Sequence, residues 1–138
     1  MITKKICPVI VRMAANGPEV LEFQHPLAGK QLLKESVKEN ETEMSAAKRE
    51  LFEESGLRLK HEFVLLARST EIVPDQEWTL FLGTANDLPD RWTHFYDDDG
   101  GHLFEFFWQP LDQPLSDKWH CSYRKTVDLV RLRRDEFE

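Results

Sequence analysis

The sequence predicts an α/β fold, a mixed sheet flanked by helices, on three observations. β-type runs lie on both sides of one helical segment, a second helical stripe closes the chain, and 138 residues suffice for one domain with its own core. Lys5 to Ala14 is rich in strand formers, Ile6, Val9, Ile10 and Val11, and stops at Asn16-Gly17-Pro18, a strong turn signal. Val20-Leu21-Glu22-Phe23-Gln24 then pairs back across that turn as a hairpin, and His25-Pro26 ends it. Gln31-Leu32-Leu33 is a short apolar segment, and residues 34–41 carry neither periodicity and read as a polar loop.

From Glu43 to Ser55 the pattern is helical. Met44, Ala47 and Leu51 recur at spacings of three and four, so one stripe faces a core, and Gly56 supplies the C-terminal cap. Phe63 to Ala67 and Trp78 to Ala85 are β-type runs, followed by a turn-rich loop through Asn86-Asp87-Leu88-Pro89-Asp90. Leu103 to Trp108 is an aromatic strand ended by Pro110. A last helix is predicted from Ser116-Asp117, with Trp119, Tyr123, Val127 and Val130 on the face that packs on the sheet. There is no repeat, low-complexity tract or linker, so residues 1–138 are expected to form a single domain.

The charge balance narrows the partners. With 18 Lys+Arg against 25 Asp+Glu the formal net charge is −7, which disfavours a nucleic-acid backbone or an anionic membrane surface. An acidic protein that handles phosphates needs cations. No apolar run reaches the ~20 residues that span a bilayer, and no signal-peptide pattern follows Met1, so a cytoplasmic location is expected. The two cysteines, Cys7 and Cys121, have no His or Cys at metal spacing and read as buried thiols.

The most informative stretch is Arg49-Glu50-Leu51-Phe52-Glu53-Glu54-Ser55-Gly56-Leu57. A helix advances ~100° per residue, which puts Glu50, Glu53 and Glu54 on one face within about a turn. Acidic runs are commonly just solvated helix faces, with pairs such as Arg49 to Glu53 as surface decoration. Clustered carboxylates that exclude water are another matter, because their repulsion calls for a counter-charge. A hard divalent cation supplies it. Mg²⁺ suits best, since it takes a few carboxylates, retains waters and also binds substrate phosphates.

Glu41 stands eight residues before Arg49, and the span from Glu35 to Leu57 resembles the Nudix box, G-x5-E-x7-R-E-U-x-E-E-x-G-U with U aliphatic. Eight of its nine specified positions match: Glu41, Arg49, Glu50, Leu51, Glu53, Glu54, Gly56 and Leu57. The resemblance implies an α/β/α sandwich and hydrolysis of a nucleoside diphosphate linked to another group, by water attack on phosphorus assisted by Mg²⁺ or Mn²⁺. It makes Glu53 and Glu54 metal ligands and Glu50 either a third ligand or the general base. Arg49 and Glu41 act one shell out, the guanidinium pairing with a carboxylate to hold the loop against the helix.

The box departs from the pattern at Glu35, where the family has glycine and uses its backbone carbonyl toward the metal. Either the carbonyl still points inward, or the Glu35 carboxylate substitutes as a ligand, or catalysis is weakened; in the last case the chain is a Nudix-fold domain that binds a nucleotide or a protein partner. Asn40 stands where many members have a second glycine, and asparagine enters the left-handed region readily. Beyond the box, Glu77, Asp97, Asp98, Asp99 and Glu105 are candidates for one further acidic residue, with His94 and His102 flanking the aspartates as polar loop residues. Trp78, Trp92 and Tyr96 are candidates for stacking on a nucleobase, and Glu105 for contact with the substrate.

Overall fold

The computed structural model describes residues 1–97 and 100–138. In chain order its elements are β1 (Thr3–Ala14), β2 (Gly17–His25), β3 (Gly29–Gln31), β4 (Glu35–Ser36), α1 (Glu43–Ser55), β5 (Val64–Ser69), β6 (Gln76–Thr84), β7 (Trp92–Tyr96), β8 (His102–Pro110) and α2 (Cys121–Leu132), then a short 3-10 turn at Arg134–Glu136. The strands form one mixed sheet of order β5-β6-β1-β2-β8-β7, with β3 added on β2 and β4 on β1. The expected hairpin is present, with Val11 opposite Val20 and Ala14 opposite Gly17. β1 runs parallel to β6 and antiparallel to its other partners.

Alternation along the central strands buries both faces, as a sheet covered by a helix on each side requires. Ile6 and Ile10 of β1 join Leu21, Phe23 and Phe106 under Ala46, Ala47 and Leu51 of α1. Cys7, Val9 and Val11 join Val20, Trp78 and Leu80 under Tyr123, Val127 and Val130 of α2. This is the α/β/α arrangement that the resemblance implied. No helix among the described residues is long and apolar enough to cross a membrane.

Four local readings are corrected. Residues 92–96, unassigned in the sequence, form strand β7, which pairs with β8 from Trp92 opposite Phe106 to Tyr96 opposite His102. Its residues alternate half-buried and exposed without an apolar face, so hydrophobic patterning alone gives no signal. Glu35 and Ser36, read as loop, pair with Ile6 and Lys5. The second helix starts at Cys121 with His120 as its cap, later than Ser116, because Trp119 is held in a backbone bridge to Lys30. Gly29 makes that approach possible: a Cβ there would lie 2.7 Å from the Lys118 carbonyl oxygen. Cys7 is buried as expected, whereas Cys121, at the start of α2, is exposed.

Candidate active site

α1 carries the acidic residues, and both of its ends are fixed by its own sequence. The Thr42 side chain caps the start by accepting from the Ser45 N–H, and Gly56 ends the helix in the left-handed region at φ 78°, its N–H donating to the Phe52 carbonyl. Two residues of β7 hold the last turn from outside. Trp92 Nε1 donates to the Ser55 carbonyl at 3.1 Å, and His94 Nε2 lies 3.0 Å from the Glu53 carbonyl oxygen.

The three glutamates of the helix do not share one environment. Glu50 is 1% exposed and Glu54 is also buried, whereas Glu53 is partly open to solvent. Among the described residues, neither carboxylate oxygen of Glu50 has a hydrogen-bond partner. Burial pushes the Glu50 carboxyl up to about 10, with the charges of Glu54 and Glu35 adding to the shift. An acidic group held like this is a strained component in isolation, since a buried carboxylate costs several kcal/mol unless a cation or donors face it.

Arg49 organises the surroundings. Its Nε donates to Glu41 Oε2 at 2.8 Å and its Nη2 to Glu41 Oε1 at 3.0 Å, a two-pronged pair, while Nη2 also reaches the Ser36 carbonyl and Nη1 reaches Glu53. Glu41 accepts a further bond from the Lys38 N–H. These donors, Arg49 foremost, hold the Glu41 carboxyl down to about 2. The loop before α1 is therefore tied to the helix through one guanidinium. Within it Asn40 takes φ 62°. Glu35 is not among the described non-glycine residues with positive φ, so a side chain at this position meets no left-handed strain.

A groove of about 620 Å³ opens beside this assembly, lined by Glu35, Arg49, Glu53, Tyr96 and Asp97 among others. A second cavity of about 260 Å³ shares Glu35 and Tyr96 with it and reaches Glu54, Lys34 and Tyr123. The remaining sequence candidates fall elsewhere. Trp78 is sealed in the core at 1% exposure, its Nε1 donating to Gln76, so its ring has no face to offer a base. Trp92 stacks flat on Phe106, centroids 5.1 Å apart, and with exposed Glu105 borders a separate shallow hollow. Glu77 is half-buried on β6. His102 rings against His25 at 4.8 Å beside the second cavity, and Asp98 and Asp99 lie outside the described residues. The sequence reading missed Lys5, His25, Gln31, Lys34 and Tyr123, which line the second cavity from separate parts of the chain.

The donor set fits a hard divalent cation. Among the described residues no three His, Cys, Asp or Glu side chains already converge as a metal cluster. Glu50 nevertheless presents two buried oxygens without donors among the described residues, beside a second buried carboxylate. Mg²⁺ commonly takes one or two carboxylates and fills its shell with water and substrate phosphate, so a pair of glutamates suffices to seat it.

The family profile described as NUDIX domain matches residues 9–130. No curated protein sequence matches the chain. Among solved structures, the Ap4A hydrolase of C. elegans is similar at 21% identity and a TM-score of 0.64, covering 99% of this chain and 98% of that one. The NUDIX domain of Shewanella oneidensis NrtR, complexed with ADP ribose, is similar at 12% identity and a TM-score of 0.67, covering 96% and 88%. A putative nudix hydrolase family member from Chromobacterium violaceum has 16% identity and a TM-score of 0.67, covering 100% and 82%. At these identities the likeness is one of fold.

Proposed function

The chain belongs to the NUDIX domain family, and from that premise we propose that it is a hydrolase of nucleotide derivatives, cleaving a phosphoanhydride in a nucleoside diphosphate linked to another group with the help of Mg²⁺ or Mn²⁺. The observation that carries this reading is the buried Glu50 carboxylate, without a donor among the described residues, on the helix whose Arg49 and Glu53 line a groove large enough for a small-molecule ligand. Glu50, Glu53 and Glu54 would hold the cation, with Glu35 facing the same groove as a further acidic oxygen donor. When bound, the cation supplies neutralisation of the diphosphate and lowers the pKa of the attacking water.

The residues around it have separable tasks. Arg49 keeps Glu53 and the Glu41 loop in register, so the groove wall and the helix face stay a fixed distance apart. Trp92 and His94 immobilise the turn that carries Glu53 and Glu54. Tyr96, in the wall shared by both cavities, would offer its ring to the substrate. Glu50 serves either as a ligand or as the base that takes a proton from the attacking water; a buried carboxylate of raised proton affinity suits the second role, and a charged one facing a cation suits the first.

A screen of nucleoside di- and triphosphates, dinucleoside polyphosphates and nucleotide sugars in Mg²⁺ and in Mn²⁺, run in ¹⁸O-labelled water, tests the reading. Turnover with the label on a phosphate product is expected. Binding of one compound without turnover of any would instead make the chain a nucleotide-binding domain of this fold.

A further inference from the structure

The sheet ends at β5 on one side and at β7 on the other, and its two edges are finished differently. On β5 a bulge between Leu65 and Ala67 interrupts the register, and the charged Arg68 is tied to Glu43; both devices discourage a further strand from pairing. β7 has neither. It pairs with β8 without a register shift from Trp92 to Tyr96, and it contains no proline, lysine, arginine or acidic residue. Among the described residues, the backbone of residues 92–95 bonds to β8 and to no other segment. Its outer side is therefore a strand edge open to pairing.

The side chains on one face of this edge are also unusual. Trp92 and His94 reach the last turn of α1, so alternation turns Thr93 and Phe95 to the opposite face. Phe95 is 57% exposed there, and Leu103, directly across from it on β8, is 54% exposed. Arg91 and Asp97 carry the alternation one residue beyond the strand at either end, and Arg91 stands 5.5 Å from the ring of Phe107 on β8. Both are exposed, and neither has an ion-pair partner among the described residues.

In the antiparallel sense the segment Arg91-Trp92-Thr93-His94-Phe95-Tyr96-Asp97 complements itself. With His94 opposite its own copy about a two-fold axis, Arg91 faces Asp97, Thr93 faces Phe95 and Trp92 faces Tyr96, and every match occurs twice. We propose that β7 is the contact of a two-fold homodimer, in which two sheets join edge to edge as one continuous sheet. Backbone bonds hold the joint, Phe95 and Leu103 of both copies cover it on one face, and the two Arg91–Asp97 pairs fix its register. The proposal goes beyond the hydrolase reading and does not depend on it. Because Phe95, Tyr96 and Asp97 also line the 620 Å³ groove, the joint stands at the groove wall of each copy.

Sedimentation velocity on the full chain, from nanomolar to high micromolar concentration, tests the proposal, with circular dichroism to confirm that each variant folds. The wild type is expected to convert from monomer to dimer as concentration rises. Arg91→Asp and Asp97→Arg each set two like-charge pairs across the joint and should each weaken the dimer about tenfold or more. Arg91→Asp combined with Asp97→Arg exchanges the signs and restores both pairs, so its dimer should recover to within about threefold of the wild type. Thr93→Lys places a charge on the edge itself and should leave a folded monomer. A wild type that stays monomeric throughout, a dimer indifferent to the single changes, or a combined variant no better than either single one overturns the proposal.

Discussion

Replacing Glu50 by glutamine removes a buried carboxyl that has no hydrogen-bond partner among the described residues while keeping its shape, and its consequence without metal can be worked out from the structure. Burial raises the Glu50 carboxyl from its ordinary 4.5 to about 10. A folded-state pKa above the unfolded one means that stability is fully present below pH 4.5 and is lost as pH rises toward 10. At pH 7 the folded chain holds a proton that the unfolded chain has released. The cost is then set by the gap between pH 7 and 4.5, about 3 kcal/mol at 1.36 kcal/mol per unit. Glutamine carries the same buried polar burden without the titration, so Glu50→Gln in EDTA should be more stable at pH 7 by about 1 to 3 kcal/mol. For 138 residues that is a rise in Tm of about 3 to 10 °C. The advantage should vanish near pH 4.5, as read by calorimetric melts across the pH range. Adding Mg²⁺ narrows or reverses the gap, because the wild type binds the cation more tightly and gains more linkage stabilisation. A variant no more stable than the wild type in EDTA at pH 7 refutes the reasoning.

Three further outcomes follow from other residues. Glu35→Gly should not raise turnover and should cost about 0.5–1 kcal/mol in denaturant melts, because Glu35 is strand-paired to Ile6 at an angle that does not need glycine; faster turnover would show a strained turn after all. Arg49→Lys removes the two-pronged bond to Glu41 and should destabilise by about 1–2 kcal/mol while lowering kcat more than it raises KM, measured by melts and steady-state kinetics. Glu22, buried on β2 beside Lys30, is pushed up to about 7 by desolvation, so it adds stability below pH 4.5 that is lost as pH rises through 7; Glu22→Gln should flatten that part of the pH–stability curve, by about 3 kcal/mol at most.

The sequence alone goes far where the chemistry is local. Helix α1, its caps and the spacing of Arg49 and the glutamates are all contained in consecutive residues, and the structure reproduces the helix at Glu43–Ser55. The inequality among the glutamates is not local. Helical angles put Glu50, Glu53 and Glu54 together, but β7 and the sheet decide that Glu50 and Glu54 are buried and Glu53 is not. The aromatic residues show the same limit. Trp78, Trp92 and Tyr96 look alike in composition, yet one is core, one braces the end of α1 and one lines the groove. The second cavity is illegible in sequence because β1, β2, β3, β7, β8 and α2 each contribute one or two of its side chains, with no spacing to connect them.

Mn²⁺ binding to the wild type and to Glu50→Gln, Glu53→Gln and Glu54→Gln, followed by calorimetry with circular dichroism as a check on folding, tests the carboxylate site most directly. The wild type should bind the cation, and Glu50→Gln and Glu54→Gln should each weaken binding at least tenfold, since even outer-shell partners of a metal are commonly worth that much. Glu53→Gln should also weaken it, by less, because Glu53 is already committed in part to Arg49. Folded variants that bind Mn²⁺ as tightly as the wild type would contradict the assignment of this helix face to a cation.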